Sequence, residues 1–254
     1  MSDLSLDYTG KVVLMTGGAS GIGRATAFAF AGQGASVVIG DIDARAAETV
    51  RLIEGAGGRA AFVETDVTVA AQVQQLVAAT VEKFGGLHVA FNNAGVLPPT
   101  APVAEMSESD WDKVIAVDLK SVFLCLKYEI AHMLDAGGGA IVSTASVAGV
   151  VADQGMAPYA AAKHGVVGLT QAAALDYATR GIRVNAVAPG LVDTPMTERW
   201  LADPTINAAL MANSPMRRPA QPEEITGIVL FLCSPAASFA TGAVYVIDGG
   251  QTAH

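Results

Sequence analysis

The stretch YAAAK, residues 159 to 163, places a tyrosine and a lysine four residues apart in a segment of helical period. Side chains at this spacing lie on one face of a helix with Cβ atoms about 5 to 6 Å apart, so Tyr159 and Lys163 are predicted to project together. A free tyrosine has a pKa of about 10, and a neighbouring ammonium favours the phenolate and lowers that pKa. The pair therefore predicts a tyrosine that exchanges a proton with a substrate hydroxyl or carbonyl.

A serine stands before this pair, at the end of the apolar run GAIVSTAS. We expect the hydroxyl of Ser146 to hydrogen-bond the substrate oxygen, and Lys163 to be able to bind the ribose of a nicotinamide cofactor as well. A tyrosine and a lysine on an ordinary solvated helix face are the commoner reading of YxxxK alone. The assignment therefore depends on the motifs around it.

A glycine-rich turn, TGGASGIG from Thr16 to Gly23, joins the first apolar run to a helical segment. Gly17, Gly21 and Gly23 allow a tight turn, close approach of a pyrophosphate, and close packing of the helix on the strand. The helix N-terminus behind the turn offers free N–H groups to phosphate oxygens. This position, between a first strand and a first helix, predicts a dinucleotide site.

An aspartate ends the second apolar run, VVIGD, eighteen residues beyond Gly23. At this distance Asp41 is placed to accept hydrogen bonds from the adenosine ribose and to repel a 2′-phosphate. Neither Ser20 nor Ile42 is a basic residue that would receive that phosphate. NAD is therefore predicted over NADP, with capping of the helix near Ala44 as the alternative role for Asp41.

Two further strand ends carry polar residues. ETDV places Asp66 and Val67 at the adenine, although Asp66 is equally suited to cap the next helix. NNAG, residues 92 to 95, ends the fourth apolar run, where Asn93, Ala94 and Gly95 suit a ligand above the sheet. Ordinary turn chemistry produces the same letters.

Short apolar runs alternate with helical segments along the chain, which predicts an α/β fold. We expect a single-domain Rossmann-type, doubly wound parallel sheet of about seven strands with helices on both faces, because runs such as VVLM are apolar throughout. The predicted helices span 21–33, 44–56, 69–84, 108–135, 157–180 and about 222–233. No linker divides residues 1–254, and the segment 190–221 lacks clear periodicity, which predicts a lid over the substrate.

The composition excludes several classes of partner. With 254 residues, 52% of them hydrophobic, the chain can bury a large core, and its net charge of -9 disfavours nucleic acid and anionic membranes. No run reaches the roughly 18 apolar residues of a membrane span, and the N-terminus does not read as a signal peptide. Cys125 and Cys233 read as buried apolar residues, so we expect no metal and a soluble, cytoplasmic protein.

Together these motifs resemble the short-chain dehydrogenase/reductase family over essentially the whole chain. TGGASGIG, NNAG, Ser146 with YAAAK, RVNAVAPG and DTPM match its motifs in order. The resemblance implies an oxidoreductase acting on CH–OH groups, in a homotetramer or homodimer built around the helices at 108–135 and 157–180. It also implies that the cofactor touches Gly17, Ser20 and Ile22 of the glycine turn. Further contacts that it implies are Asp41, Asp66, Val67, Asn93, Tyr159 and Lys163, and in a later segment Pro189, Gly190, Val192 and Thr194.

One position departs from the family pattern. The family usually has an asparagine in the helix after the fourth strand, as the fourth catalytic residue, whereas this chain has Asp118 in IAVDLKSVF. If the relay to the lysine uses the backbone carbonyl, the exchange matters little, because every residue has that acceptor. We expect this case; if the side chain participates, an ionised Asp118 would alter the pH profile.

The substrate is expected to be a largely uncharged secondary alcohol or ketone. Its cleft is predicted to be lined by the apolar part of segment 190–221 and by Val147, Val150, Val151, Gln154 and Met156. Arg199, Arg217 or Arg218 would receive an anion if turned inward. An NADPH-dependent 3-oxoacyl-type reductase, which Asp41 disfavours, and a non-catalytic NAD(H)-binding sensor remain as alternatives.

Overall fold

A computed structural model describes residues 6–253, and they contain one wholly parallel sheet. Its seven strands lie in the order β3-β2-β1-β4-β5-β6-β7. This confirms the predicted fold class. The strands are β1 (Val12–Thr16), β2 (Ser36–Asp41), β3 (Arg59–Glu64), β4 (Val89–Asn92), β5 (Gly139–Thr144), β6 (Ile182–Pro189) and β7 (Val244–Ile247).

Helices connect the strands and cover both faces of the sheet. They are α1 (Gly21–Gly32), α2 (Ala46–Gly55), α3 (Ala70–Phe84), α4 (Glu108–Ile115), α5 (Ser121–Ala136), α6 (Ala157–Tyr177), α7 (Glu198–Ala202), α8 (Pro204–Asn213) and α9 (Glu223–Cys233). No helix among these described residues is long and apolar enough to cross a bilayer.

Two apolar layers hold the helices to the sheet because alternate strand residues point to opposite faces. Val13 and Met15 of β1 pack with one buried cluster, which includes Phe30 of α1 and Val229 of α9. Leu14, between them, packs with the opposite cluster beneath α3, α5 and α6. All five residues of β1 are buried, as expected for a strand covered on both sides.

The register brings the carboxyl ends of the strands to one edge. Thr16 pairs with Gly40 on one side and with Asn92 on the other, and Asn92 pairs with Ser143. The strand order reverses between β1 and β4, so their connections leave in opposite directions. A crevice opens above such a switch point, where parallel α/β folds bind ligands.

The predicted helix at 108–135 consists of three parts. Between α4 and α5 the chain forms a π-helical turn, Ala116–Lys120, in which Asp118 is completely buried. A π-helical turn widens the helix by one residue and is frequent at functional sites. No break in the apolar periodicity of residues 108–135 indicates this turn.

Segment 190–221, predicted as irregular, contains the short helices α7 and α8. Its two ends are joined by backbone hydrogen bonds from the Ala220 N–H to the Leu191 carbonyl (2.9 Å) and from the Asp193 N–H to the Ala220 carbonyl (2.9 Å). Neither α7 nor α8 has a fully buried residue. The segment therefore lies on the surface with little core of its own.

Candidate active site

A cleft of about 880 Å³ lies above the carboxyl ends of the strands, and it contains all but one of the predicted site residues. The exception is Gly23, which lies behind the glycine turn. The residues that line it are Gly17, Ser20, Gly21, Ile22, Asp41, Asp66, Val67, Asn93, Ala94, Gly95, Asp118, Ser146, Tyr159, Lys163, Pro189, Gly190, Val192 and Thr194. Segments far apart in sequence thus share one cavity.

The glycine turn has the geometry that its sequence predicts. Gly17 and Gly21 have φ angles of 74° and 53°, which disfavour any residue with a Cβ. A Cβ at Gly23 would lie 1.9 Å from the Gly17 carbonyl oxygen. Gly23 therefore allows α1 to pack directly against the turn, although it does not face the cleft.

The N-terminus of α1 is open toward the cleft. Its N-cap residue, Ser20, makes no side-chain hydrogen bond to the first turn, and that turn contains no acidic residue. The N–H groups and the positive end of the helix dipole are thus available for a pyrophosphate. This cradle, which a Cβ would fill, fits a dinucleotide.

Asp41 lies at the end of β2 beside the glycine turn. Its Oδ2 accepts a hydrogen bond from the Ala19 N–H at 2.9 Å, and its Oδ1 accepts one from the Asp43 N–H at 2.9 Å. Helix α2 begins only at Ala46, so Asp41 does not cap it. The carboxylate is fixed at the cleft wall, where its negative charge faces whatever binds there.

The two asparagines of NNAG have structural partners. Asn92 is buried and donates to Glu129 Oε2 at 3.0 Å, away from the cleft; burial raises the pKa of Glu129 to about 7. Asn93 lines the cleft, where its Nδ2 donates to the Gly17 carbonyl at 3.1 Å and its Oδ1 accepts from Thr144 at 3.2 Å. Asn93 thus joins the ends of β1, β4 and β5.

Asp66 also lines the cleft, but it does not cap the next helix. Its Oδ1 accepts hydrogen bonds from the backbone and hydroxyl of Thr68, at 2.9 and 2.7 Å. The N-cap residue of α3 is Val69. The capping alternative for Asp66 is therefore wrong, because the helix begins only at Ala70 and the carboxylate bonds Thr68 instead.

Tyr159 and Lys163 lie on one face of the first turns of α6, as the spacing predicts. Lys163 Nζ lies 5.4 Å from the centre of the Tyr159 ring and donates to the Thr144 carbonyl at 3.0 Å. Ser146 lies two residues beyond the end of β5, and its hydroxyl oxygen accepts a hydrogen bond from the Ala148 N–H at 3.1 Å. The strand end and the helix thus hold a hydroxyl, a phenol and an ammonium at one point of the cleft.

The carboxylate of Asp118 forms an ion pair with this lysine. Asp118 Oδ1 lies 3.1 Å from Lys163 Nζ, and the two side chains are 0% and 3% exposed. Its Oδ2 accepts from the Val96 N–H at 3.0 Å. The relay through the backbone carbonyl of residue 118 stays a prediction, but the side chain also contacts Lys163, because the π-helical turn directs it into the site.

The charges in the site oppose one another. Burial raises the pKa of Tyr159, and the positive charge of Lys163 opposes that rise, whereas Asp118 adds to it. For Lys163, burial lowers the pKa, but the negative charges of Asp118 and of an ionised Tyr159 more than offset this and leave it raised. Lys163 thus acts on Tyr159 in the predicted direction, but in this site burial outweighs it.

The predicted substrate wall is confirmed in part. Val147, Gln154, Met156, Leu191, Met196, Trp200 and Leu210 line the cleft. Val150 and Val151 do not, because the chain turns outward after the 3₁₀ turn Val147–Gly149 and leaves them 41% and 42% exposed. Leu201 and Met211 lie on the other sides of α7 and α8, away from the cleft.

None of the three arginines of segment 190–221 lines the cleft. Arg199 donates to the Pro98 carbonyl at 3.1 Å, and Arg217 donates to the carbonyls of Met211 and Ala212. Arg218 forms a surface ion pair with Glu224. None of these three arginines turns inward to receive an anion in the cleft.

Sequence reasoning missed several lining residues. Lys113 of α4 and Asp153 line the cleft with opposite charges, and Gln251 of the C-terminal segment lines it too. Thr197 is buried and donates to the Val192 carbonyl at 2.6 Å, which shapes the loop around Thr194. Only their position in the fold identifies them, since none lies in a recognisable motif. The described residues contain no cluster of side chains suited to a metal ion.

Known proteins match this chain over nearly its whole length. A family model described as enoyl-(acyl carrier protein) reductase matches residues 17–252. A cis-4-hydroxycyclohexanecarboxylate dehydrogenase from Sinomonas cyclohexanicum is 46% identical over 97% of this chain and 98% of its own. A cyclohexanol dehydrogenase from Acinetobacter sp. is 45% identical, over 98% of both chains. A 3-oxoacyl-(acyl-carrier-protein) reductase from Thermotoga maritima is 43% identical, over 95% and 97%.

A solved structure shares the fold in detail. A protein from Beutenbergia cavernae, described as NAD(P) dependent and crystallised with NADP at low occupancy, superposes with a TM-score of 0.93. It is 36% identical and covers 98% of this chain and 99% of its own.

Proposed function

The chain belongs to the short-chain dehydrogenase/reductase family, and we propose that it transfers a hydride between NAD and a largely apolar secondary alcohol or ketone. The observation that carries this proposal is the meeting of Ser146, Tyr159 and Lys163 at the wall of a cleft that also contains the glycine turn. A nicotinamide bound there supplies the hydride acceptor or donor.

The protein residues then have separate roles. Ser146 donates a hydrogen bond to the substrate oxygen and fixes it beside the phenol. Tyr159 removes the hydroxyl proton during oxidation and returns it to the carbonyl during reduction. Lys163, held by the Thr144 carbonyl and Asp118, favours the phenolate through its charge.

NAD is proposed over NADP because of Asp41. Its carboxylate is fixed at the cleft wall by two backbone N–H groups, and a 2′-phosphate beside it would meet a like charge. Ser20 and Ile42, which also line the cleft, offer no positive charge in compensation.

The substrate end supports an apolar alcohol. Val147, Met156, Leu191 and Trp200 line it, and the arginines of segment 190–221 face elsewhere. The named alcohols of two relatives are cyclohexanol and cis-4-hydroxycyclohexanecarboxylate. Alicyclic secondary alcohols are therefore the first substrates to test, and segment 190–221 is proposed as the lid of a single-domain enzyme.

One relative favours a second candidate, an NADPH-dependent 3-oxoacyl-type reductase. The negative charge of Asp41 weighs against NADPH. A non-catalytic NAD(H) sensor is disfavoured by the presence of all three reacting side chains. A cytoplasmic homotetramer or homodimer is proposed by resemblance, and the two buried free cysteines suit a reducing compartment.

The deciding experiment measures turnover on a panel of alicyclic alcohols, their ketones and a 3-oxoacyl thioester with both cofactors. We expect NAD-dependent oxidation of the alcohols, and loss of about 10²-fold or more in kcat for Tyr159→Phe, which removes the proton-transfer group. Tyr177→Phe, the same change at the end of the same helix, is the control and should retain activity. Preference for NADPH and the thioester would establish the second candidate, and NADH binding without any turnover would establish the sensor.

A further inference from the structure

The proposed function uses the buried carboxylate of Asp118 only to hold Lys163 and gives no role to its negative charge. This carboxylate lies in the π-helical turn Ala116–Lys120, 3.1 Å from Lys163 Nζ, with no exposure to solvent. Gly95 provides the space, because a Cβ there would lie 2.6 Å from Asp118 Oδ1. The absence of a side chain at Gly95 therefore leaves room for the carboxylate of Asp118.

The two oxygens of Asp118 face two donors. Oδ2 accepts from the Val96 N–H at 3.0 Å, and Oδ1 faces the Lys163 ammonium. A carboxylate satisfies both, since each of its oxygens is an acceptor. An asparagine has only one acceptor oxygen, so its NH₂ group would point at one of the two donors. Burial raises the pKa of Asp118, but Lys163 and the Val96 N–H oppose that rise, so the contacts suit a carboxylate rather than an amide.

The charges around the Tyr159 phenol show what an aspartate does at position 118 in place of an asparagine. Lys163 on α6 is positive, whereas Asp118 on the π-helical turn and Asp153 on the loop before α6 are negative and raise the pKa of Tyr159. Lys113 on α4 lines the same cleft. A buried ammonium without a counter-ion would favour the phenolate strongly, but one paired with a carboxylate favours it less.

Building on the proposed function, we infer that Asp118 is a positioning residue whose negative charge partly cancels that of Lys163 and so raises the pH at which Tyr159 becomes a base. Asp118 does not touch the substrate oxygen; it acts through Lys163, which it holds together with the Thr144 carbonyl. The enzyme is therefore set for alcohol oxidation at a higher pH than one with a neutral residue at this position.

The test compares Asp118→Asn with the wild-type protein by ultraviolet titration of tyrosinate. Each protein is titrated against its own Tyr159→Phe partner, so that the difference spectrum reports Tyr159 alone and needs no turnover. We expect Tyr159 to ionise about 1 pH unit lower in Asp118→Asn, because the full charge of Lys163 then acts on it. The pH at which kcat/KM for alcohol oxidation rises to half of its maximum should decrease by the same amount.

Two further variants make the result decisive. Asp118→Ala also removes the charge, and it gives the same titration if the asparagine variant fails to fold. Glu129→Gln removes a buried carboxyl that bonds Asn92 and lies outside the cleft, so it should leave Tyr159 unchanged.

An unchanged or higher ionisation pH for Tyr159 in folded Asp118→Asn or Asp118→Ala would overturn the inference. If the wild-type protein oxidises no alcohol but the titration shifts as expected, the proposed substrate class fails and the inference stands. If turnover is found and the titration does not move, only the inference fails.

Discussion

The two ends of the cleft are built in different ways. At the cofactor end, α1 buries five residues against the sheet, and the backbone of the glycine turn forms the binding surface. At the substrate end, α7 and α8 bury none completely, and the binding surface consists of side chains such as Met196 and Trp200. Backbone binding surfaces are rigid, whereas a lightly packed segment opens at low free-energy cost.

This difference separates a binding surface that many proteins share from one that is specific to this protein. A turn that needs glycine at fixed positions tolerates few sequences, so it binds the same group in every protein that has it. A surface of apolar side chains accepts many shapes and changes with each substitution. We therefore expect substitutions at the cofactor end to abolish binding, and those at the substrate end to change preference.

The largest effect is expected at Gly23. In Gly23→Ala the new Cβ would lie 1.9 Å from the Gly17 carbonyl oxygen, so α1 or the turn must move. Displacement of binding groups by about 1 Å costs about 10²-fold, which predicts a loss of that order in NADH affinity, measured by fluorescence titration.

Gly32→Ala is the matched control, at the other end of the same helix. Nothing lies within 4 Å of a Cβ there, so NADH affinity should remain that of the wild type. Equal affinities for the two variants would show that the cofactor end is as adaptable as the lid, and the contrast between the two ends would be lost.

An intermediate effect is expected at Asp41, whose side chain lines the cleft beside the rigid glycine turn. Asp41→Asn removes the charge that faces a 2′-phosphate but keeps the size of the side chain. We expect the ratio of kcat/KM for NADP to that for NAD to rise by about 10-fold or more, since like-charge contacts are costly.

Glu64→Gln is the control for this change. Glu64 pairs with Asp41 in the sheet register but is exposed and does not line the cleft. It should leave the ratio unchanged. A ratio that stays constant in Asp41→Asn would remove the basis for proposing NAD.

The smallest effect is expected at the lid. Arg199→Met removes the hydrogen bond from α7 to the Pro98 carbonyl but keeps an aliphatic stem against the neighbouring chain. At this partly exposed site the net loss of one hydrogen bond corresponds to about 1 kcal/mol, which predicts a KM for the alcohol about 5-fold higher with unchanged NADH affinity.

Arg218→Met provides the comparison within the same segment. Arg218 forms an ion pair with Glu224 at the surface and does not reach the cleft. The KM of Arg218→Met for the alcohol should therefore equal that of the wild type. A change in NADH affinity in Arg199→Met would mean that the lid and the cofactor end are coupled rather than independent.

The sequence predicted the features that depend on local rules. Strand and helix periodicity, the glycine turn and the i, i+4 spacing of Tyr159 and Lys163 depend on neighbours in the chain, and each lies where it was expected. Of the predicted site residues, only Gly23 lies outside the cleft, because its role is packing.

The features that it did not predict depend on distant parts of the chain. Nothing in IAVDLKSVF indicates a π-helical turn, so the direction of the Asp118 side chain could not be read from the letters. Lys113, Asp153 and Gln251 reach the cleft only through the packing of elements more than thirty residues apart. Val150 and Val151 were misplaced because a 3₁₀ turn reverses the chain just before them.

The strand order has a consequence for how the protein is made. The second edge of β1 is paired only by β4, which lies more than seventy residues later in the chain. Contacts between residues so far apart in sequence slow folding. A growing chain that ends after β5 has the glycine turn and both edges of β1, but neither Tyr159 nor Lys163. The cleft closes only when the segment beyond β6 has emerged. A dinucleotide that needs the complete cleft therefore stabilises the finished chain more than the growing one.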